Sequence, residues 1–256
     1  MKGQSAAGDH LLFWGDDRLE GILERPDTTE GLGRSGGPAS GAVVGGVVVA
    51  HPHPLYGGTM AQPVVYRVAQ ACREHRMATL RFNFRGVGRS RGTYSGSEEY
   101  RDVEAAAAYL RGQLVGSAEG PEPGGKEPLV ALAGYSFGSV MAAMAAVGAV
   151  PVQALALVAF VVAWEEMPSN VTEGLAGFQG PVLAVCGDRD DLAPPQEVER
   201  VLAELKLDFS LSVVRGADHF FEGNQGEVGV RVAAFLGTAF GGRMTAGGKG
   251  WRSLSD

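Results

Sequence analysis

The chain has 256 residues, of which 45% are hydrophobic, and a formal net charge of −7. This length and apolar content suffice for one large buried core in a single α/β domain. Lysine and arginine are scattered rather than clustered, which argues against a nucleic-acid partner. The N-terminus lacks the layout of a signal peptide, and no apolar run reaches the roughly 20 residues that span a bilayer. A soluble, cytoplasmic protein is therefore predicted, with Cys72 and Cys186 as structural thiols.

Strand-like and helix-like segments alternate along the chain. Residues 10–25 predict two short strands joined by a polar Gly-Asp turn, a hairpin that leads into the first buried strand. Then follow strand 42–50, helix 60–75, strand 77–83, helix 97–113, strand 128–134, helix 137–148, strand 152–160, strand 181–186, helix 195–206, strand 208–214 and helix 225–238. Continuous apolar strands interleaved with helices indicate a doubly wound, mostly parallel sheet. We predict one α/β domain over residues 1–240 and a disordered, Gly-rich tail over 241–256.

The functional residues are expected in five loops. In an open parallel sheet, ligands bind beyond the carboxyl ends of the strands. That rule directs attention to the segments after residues 50, 83, 134, 186 and 214, which contain nearly every unusual motif of the chain.

The loop after strand 128–134 contains a candidate nucleophile. Its sequence GYSFGS places Gly134, Ser136 and Gly138 in the G-x-S-x-G spacing between a strand and a helix. A serine presented on so sharp a turn needs small residues two positions before and after it. The helix that starts at Phe137 would direct its N-terminal N–H groups at a developing oxyanion. A plain Gly-rich turn is the alternative interpretation.

A serine needs a base, and in this arrangement the chain order is serine, acid, histidine. Of the five histidines only His219 follows the serine, just after the last strand. The loop GDRDDLAPP supplies Asp188, Asp190 and Asp191, one of which should orient the imidazole. We favour Asp190, and spacing leaves Asp191 open. Asp218 adjoins the histidine in sequence and is expected to brace the loop.

The motifs HPHPLYGGTM, RFNFRGVGRSRG, GYSFG, GDRDDLAPP and GADHFF, in this order, resemble the α/β-hydrolase superfamily. The resemblance covers about residues 10–240 and is strongest to small lidless hydrolases related to dienelactone hydrolases and carboxylesterases. It implies an α/β-hydrolase fold without a cap domain. It also implies a Ser136, Asp190 and His219 triad that hydrolyses esters through an acyl-enzyme.

The segment HPHPLYGGT follows the first buried strand. In the superfamily the corresponding loop donates a backbone N–H to the oxyanion hole. Pro52 and Pro54 have no N–H, which leaves the amide of His53, or else that of Leu55, to act together with the amide of Phe137. We predict His53 as the donor. A metal site at His51 and His53 is the alternative, but it lacks a third ligand at a recognisable spacing.

The segment RGVGRSRG suggests a dinucleotide-binding loop but does not fit one. Its third glycine comes one position late for G-x-G-x-x-G, and no helix opens immediately after it. We predict a structural role for Arg85, with a contact from Arg85 or Arg89 to an anionic substrate group as the alternative. No cofactor is indicated.

The substrate site is expected to be open. Residues 161–180 are too few for a cap domain, which favours small or exposed esters and thioesters. Side chains predicted to line the site are Leu55, Tyr56, Phe160, Trp164 and Phe220. The alternatives are a peptidase or acyltransferase that uses the same triad, or a non-catalytic protein that binds a ligand or partner on this fold. The sequence does not indicate an oligomeric state.

Overall fold

The computed structural model describes residues 9–14, 18–26, 43–115, 127–162 and 170–244, which form a single eight-stranded sheet flanked by helices. The strands are β1 (Asp9–Trp14), β2 (Arg18–Glu24), β3 (Gly45–Ala50), β4 (Met77–Phe82), β5 (Val130–Tyr135), β6 (Ala154–Val158), β7 (Val182–Gly187) and β8 (Phe209–Val214). The helices are α1 (Pro63–Glu74), α2 (Tyr100–Val115), α3 (Phe137–Ala145), α4 (Asn170–Ala176), α5 (Pro195–Glu204) and α6 (Gln225–Met244).

The strand order is β1-β2-β4-β3-β5-β6-β7-β8. Strands β1 and β2 form the predicted antiparallel hairpin, and β2 also runs antiparallel to β4. All other neighbours pair in parallel. The predicted doubly wound, mostly parallel fold with an N-terminal hairpin is confirmed.

Helices cover both faces of the sheet, which explains why strands β3 to β7 are buried at every position. A side chain added at Gly45 would meet Phe240 of α6, whereas one added at Gly46 would meet Leu110 and Leu114 of α2. Because successive residues of a strand point to opposite faces, α6 and α2 lie on opposite sides. Strands buried on both faces consist of continuous hydrophobic runs rather than alternating ones.

The observed boundaries differ from the predicted ones mainly at helix ends. Helix α6 ends at Met244 rather than at 238, because Phe240 is buried and anchors the last turns despite the glycines around it. Residues 245–256 of the predicted tail lie outside the described residues, and the domain boundary at 240 stays a prediction. A short 3₁₀ helix, Pro54–Tyr56, was not predicted.

The segment between β6 and β7 contains α4, and its residues 163–169 lie outside the described part. Its twenty residues, 161–180, leave no room for a cap domain, as predicted. Among the described helices, none has both the length and the apolar character needed to cross a bilayer.

The strand order reverses at β3, which lies between β4 and β5. The connection after β3 leads to β4 on one side, and the connection after β5 leads to β6 on the other. In such sheets the ligand site lies between the carboxyl ends of the two strands whose connections diverge, here β3 and β5. In the parallel register Ala50 of β3 is opposite Gly134 of β5. The loops that follow these two residues, HPHPLYGGT and the serine turn, therefore emerge side by side.

Candidate active site

Ser136 occupies a strained turn between β5 and α3. Its backbone has φ 54° and ψ −120°, a conformation that is costly for a residue with a side chain. A Cβ added at Gly134 would lie 2.1 Å from the carbonyl oxygen of Gly138, and one added at Gly138 would lie 2.5 Å from that of Ala50. Only glycine fits at either position, and the turn is the sharp one that the sequence predicted.

The structure brings Ser136, His219 and Asp190 together from three loops. Ser136 Oγ lies 2.9 Å from His219 Nε2. On the other side of the ring, His219 Nδ1 lies 2.9 Å from Asp190 Oδ2 and 3.0 Å from Asp190 Oδ1. Asp190 and His219 are buried, whereas Ser136 is half-buried.

The hydrogen bonds around Asp190 determine where the imidazole carries its proton. Asp190 Oδ1 also accepts from the backbone N–H groups of Leu192 and Ala193, at 2.9 and 2.8 Å. A carboxylate in this position accepts hydrogen bonds, so His219 Nδ1 carries the proton and donates it. Nε2 then presents a lone pair to the hydroxyl of Ser136, as a general base requires.

The other acidic residues near His219 have different contacts. Asp188 Oδ1 accepts from the backbone N–H of Gly216 at 2.7 Å and connects two neighbouring loops. Asp191 is exposed. Asp218 Oδ1 accepts from the backbone N–H of Phe220 at 2.9 Å, which is the bracing contact expected of it. The two carboxylate oxygens that contact the imidazole thus belong to Asp190.

Tyr135 is a neighbour of the site that the sequence reasoning did not single out. Its hydroxyl donates to the carbonyl oxygen of His219 at 2.9 Å. Burial, with Asp190 and Asp218 nearby, raises the pKa of Tyr135 above its usual value. The hydroxyl therefore stays protonated and remains a donor. The adjacency of Tyr135 to the serine was the available signal, but its contact lies 84 residues away.

The two histidines after β3 are both engaged in hydrogen bonds. His51 is buried, with Nδ1 2.6 Å from the carbonyl oxygen of Pro52, and Nε2 accepts from the backbone N–H of Phe84 at 3.1 Å. His53 Nδ1 accepts from the backbone N–H of Leu55 at 3.2 Å. Within the described ranges no group of three or more His, Cys, Asp or Glu side chains is arranged to hold a metal ion. These contacts favour the bracing role for His51 over the metal alternative.

Tyr94 completes the surroundings of His53. Its hydroxyl lies 2.8 Å from His53 Nε2, and the His53 ring contacts that of Phe137 with centroids 5.0 Å apart. Tyr94 was not predictable from the sequence, because it lies in an irregular segment, RGTYSGS, with no recognisable motif. The HPHP loop and the residue after the serine are thus packed against each other.

Arg85 has the structural contacts predicted for it. Its side chain and backbone N–H all donate to Asp102 of α2, with the shortest distance, 2.7 Å, between Arg85 Nη2 and Asp102 Oδ1. Arg89 is exposed, and its backbone N–H donates to the carboxylate of Glu20 at 2.9 Å. Arg85 thus attaches the loop after β4 to α2.

The residues predicted to line the substrate site separate into three groups. Leu55, Tyr56 and Phe220 are exposed, and the Tyr56 and Phe220 rings contact those of His53 and His219 respectively. Phe160 is only 1% exposed, so the prediction that it walls the pocket is corrected: it follows β6 directly and packs in the core. Trp164 lies outside the described residues.

A family model described as an alpha/beta hydrolase domain matches residues 46–242, which include the serine, the aspartate and the histidine. The chain belongs to the α/β-hydrolase family. As a member of this family it is an enzyme of the α/β-hydrolase type.

Two solved structures and one relative found by sequence are similar to this hydrolase. An alpha-beta serine hydrolase homologue from Coxiella burnetii is 30% identical with a TM-score of 0.72, covering 91% of this chain and all of its own. A serine hydrolase without a lid from Xanthomonas campestris is 26% identical with a TM-score of 0.66, covering 95% of this chain and 97% of its own. An uncharacterised protein of Rickettsia prowazekii is 28% identical over 187 residues, 68% of this chain and 71% of its own.

Proposed function

We propose that this hydrolase cleaves small carboxylic esters or thioesters through an acyl-enzyme formed on Ser136. The observation that carries the proposal is the hydrogen-bonded chain from Ser136 Oγ to His219 Nε2 and from His219 Nδ1 to Asp190, with each contact between 2.9 and 3.0 Å. Nucleophile, base and orienting acid are the three parts that activation of a serine hydroxyl requires.

In the first half of the reaction, His219 Nε2 takes the proton of Ser136 as Oγ attacks the carbonyl carbon of the substrate. The tetrahedral intermediate collapses when His219 returns that proton to the departing alcohol or thiol, which leaves an acyl group on Ser136. Water then repeats the sequence with His219 as base and releases the carboxylic acid. Asp190 accepts from Nδ1 throughout and stabilises the imidazolium form of the ring.

The oxyanion of each tetrahedral intermediate would be bound by the backbone N–H groups of His53 and Phe137. Phe137 begins α3, so its amide belongs to the electropositive end of the helix. Pro52 and Pro54 carry no N–H, and the amide of Leu55 donates to the ring of His53, which favours His53 over Leu55. Each such donor contributes roughly a hundredfold to a thousandfold in turnover.

The shortness of the segment between β6 and β7 supports the preference for small or exposed substrates. The exposed rings of Tyr56 and Phe220 contact the two sides of the site. The Xanthomonas relative is itself described as having no lid. We expect acetyl and butyryl esters to be hydrolysed with a higher kcat/KM than esters with acyl chains of about twelve carbons, which would need a covered apolar channel.

The test is covalent labelling with a fluorophosphonate, which reacts with activated serines and requires no knowledge of the substrate. We expect the wild type to be labelled at Ser136, identified by mass spectrometry of the peptide, and Ser136→Ala to be unlabelled. Ser97→Ala, which alters an exposed serine in the loop before α2, should label like the wild type. A folded wild type that does not react would refute the serine-hydrolase proposal in favour of a non-catalytic role. Acyl transfer to added alcohols or amines in place of hydrolysis would instead indicate a transferase.

A further inference from the structure

The peptide group between Pro52 and His53 has an unusual hydrogen bond on its carbonyl side. The imidazole of the preceding residue, His51, reaches forward, and its Nδ1 lies 2.6 Å from the carbonyl oxygen of Pro52. The nitrogen of the same peptide group is the amide of His53, the donor assigned above to the oxyanion hole. One peptide thus connects a buried imidazole with the proposed site of charge stabilisation.

The surroundings of His51 determine which of its nitrogens carries the proton. The backbone N–H of Phe84 donates to His51 Nε2 at 3.1 Å, so Nε2 must offer a lone pair. The proton of the neutral ring is therefore on Nδ1, which donates to the Pro52 carbonyl. Burial lowers the pKa of His51 to about 4, so the ring keeps this neutral form at neutral pH.

The geometry of a trans peptide transmits this contact to the amide of His53. The described part of the chain contains no cis peptide bond, and in a trans peptide the C=O and N–H bonds point in opposite directions. When the Pro52 carbonyl is held toward the His51 ring, the His53 N–H therefore points away from that ring. If the carbonyl were released and the peptide rotated, an oxygen would replace the N–H at the oxyanion position.

The same segment is packed against the serine turn, so its orientation bears directly on the site. A Cβ added at Gly138 would lie 2.5 Å from the carbonyl oxygens of both Ala50 and His51. Two residues after His51, the ring of His53 contacts the ring of Phe137. The backbone from Ala50 to His53 therefore runs beside the first turn of α3.

We propose that His51 is a positioning residue for the oxyanion hole: its Nδ1–H holds the Pro52–His53 peptide in the orientation that presents the His53 amide to the substrate oxygen. This inference rests on the proposed function, since it concerns the same site. His51 makes no contact with substrate in this mechanism and acts through the backbone.

A pair of substitutions separates positioning from packing. In asparagine the amide nitrogen is two bonds from Cβ, like Nδ1 of histidine, so His51→Asn can still donate to the Pro52 carbonyl but loses the acceptor for Phe84. In glutamine the terminal amide is three bonds from Cβ, like Nε2, so His51→Gln can accept from Phe84 but loses the donor to Pro52. Each variant loses one of the two hydrogen bonds, so the urea midpoints of the two variants should decrease by similar amounts.

The activities of the two variants should differ. We expect His51→Gln to lower kcat and the rate of fluorophosphonate labelling by about 10- to 100-fold, with KM little changed, because an oxyanion contact exists only in the transition state. His51→Asn should stay within about fivefold of the wild type, the effect of one neutral hydrogen bond. Equal losses in the two variants, or no loss in His51→Gln, would overturn the inference.

A measurement on the wild type covers the case in which either variant fails to fold. With ¹⁵N-labelled histidine, the Nδ1 proton of His51 should move downfield when Ser136 carries the phosphonate. An oxygen bound at the His53 N–H polarises the shared peptide and strengthens the bond at its carbonyl. An unmoved resonance, with the adduct verified by mass, would refute the positioning role alone. A wild type that forms no adduct at Ser136 would refute the proposed function, and this inference with it.

Discussion

Replacing Asp190 by asparagine should disable the enzyme while leaving its fold intact. Oδ1 of Asp190 accepts from the backbone N–H groups of Leu192 and Ala193, so the oxygen of an asparagine amide must stay at that position. The NH₂ group then replaces Oδ2, which lies 2.9 Å from His219 Nδ1, and only Oδ1, at 3.0 Å and already shared with two backbone N–H groups, is left to accept from it. A second donor beside Nδ1–H disfavours the native tautomer, so we expect the imidazole proton to shift to Nε2.

That tautomer presents a donor to Ser136 and cannot accept its proton. By analogy with the general behaviour of Ser-His-Asp triads, we expect kcat to fall by about 10⁴-fold. The backbone contacts of the loop are retained, so the urea midpoint should change little. The assay is hydrolysis of p-nitrophenyl acetate, with the fluorophosphonate labelling rate as a second readout.

The matched control is Asp191→Asn, which makes the same chemical change on the adjacent, exposed residue and should leave kcat within about twofold of the wild type. The reasoning is refuted if Asp190→Asn keeps more than about a tenth of the activity in a folded protein. It is equally refuted if Asp191→Asn loses as much as Asp190→Asn.

Three further changes test the surroundings of the site. Gly138→Ala should lower the free energy of unfolding by about 1–3 kcal/mol or more, because the new Cβ would lie 2.5 Å from two backbone carbonyl oxygens. Gly112→Ala, in α2 with open space at the Cβ position, should raise stability by about 0.5–1 kcal/mol, and urea unfolding compares the two. Tyr135→Phe should lower the free energy of unfolding by about 1–3 kcal/mol, because the buried carbonyl of His219 loses the hydroxyl that donates to it at 2.9 Å. An unchanged urea midpoint would contradict this. Burial raises the pKa of both the Cys72 and Cys186 thiols to about 12, so both thiols are protonated at pH 8. Ellman's reagent should not react with the native protein and should detect both thiols in urea, whereas rapid native reaction would refute the assignment of buried, protonated thiols.

The features that were predictable from the sequence are those in which local residues and local geometry are tightly related. The spacing of Gly134, Ser136 and Gly138 implies a turn that no larger residue fits, and the structure has that turn. Continuous apolar strands imply a sheet covered on both faces. Chain order reduced five histidines to one candidate, His219, because the other four precede the serine.

Other predictions failed or stayed open because they depend on contacts between distant segments. Helix α6 continues past its glycines because Phe240 finds a buried position, a contribution that helix propensity alone does not include. Phe160 looked like a pocket wall from its place after a strand, but the protein buries it. Tyr94 carried no motif, and only the fold brings its hydroxyl to His53.

The sequence by itself determined the type of fold and predicted the candidate nucleophile, the candidate histidine and the loop of the candidate acid, since each follows from a periodicity, a spacing or an order along the chain. It did not determine which aspartate of that loop faces the histidine, or that His51 donates to the carbonyl of its neighbour Pro52. The tertiary structure decided these two points. The direction of a side chain and the orientation of a peptide depend on partners 29 and 33 residues away, His219 for Asp190 and Phe84 for His51. Hydrogen bonds so sensitive to distance and angle form only after packing has placed both partners.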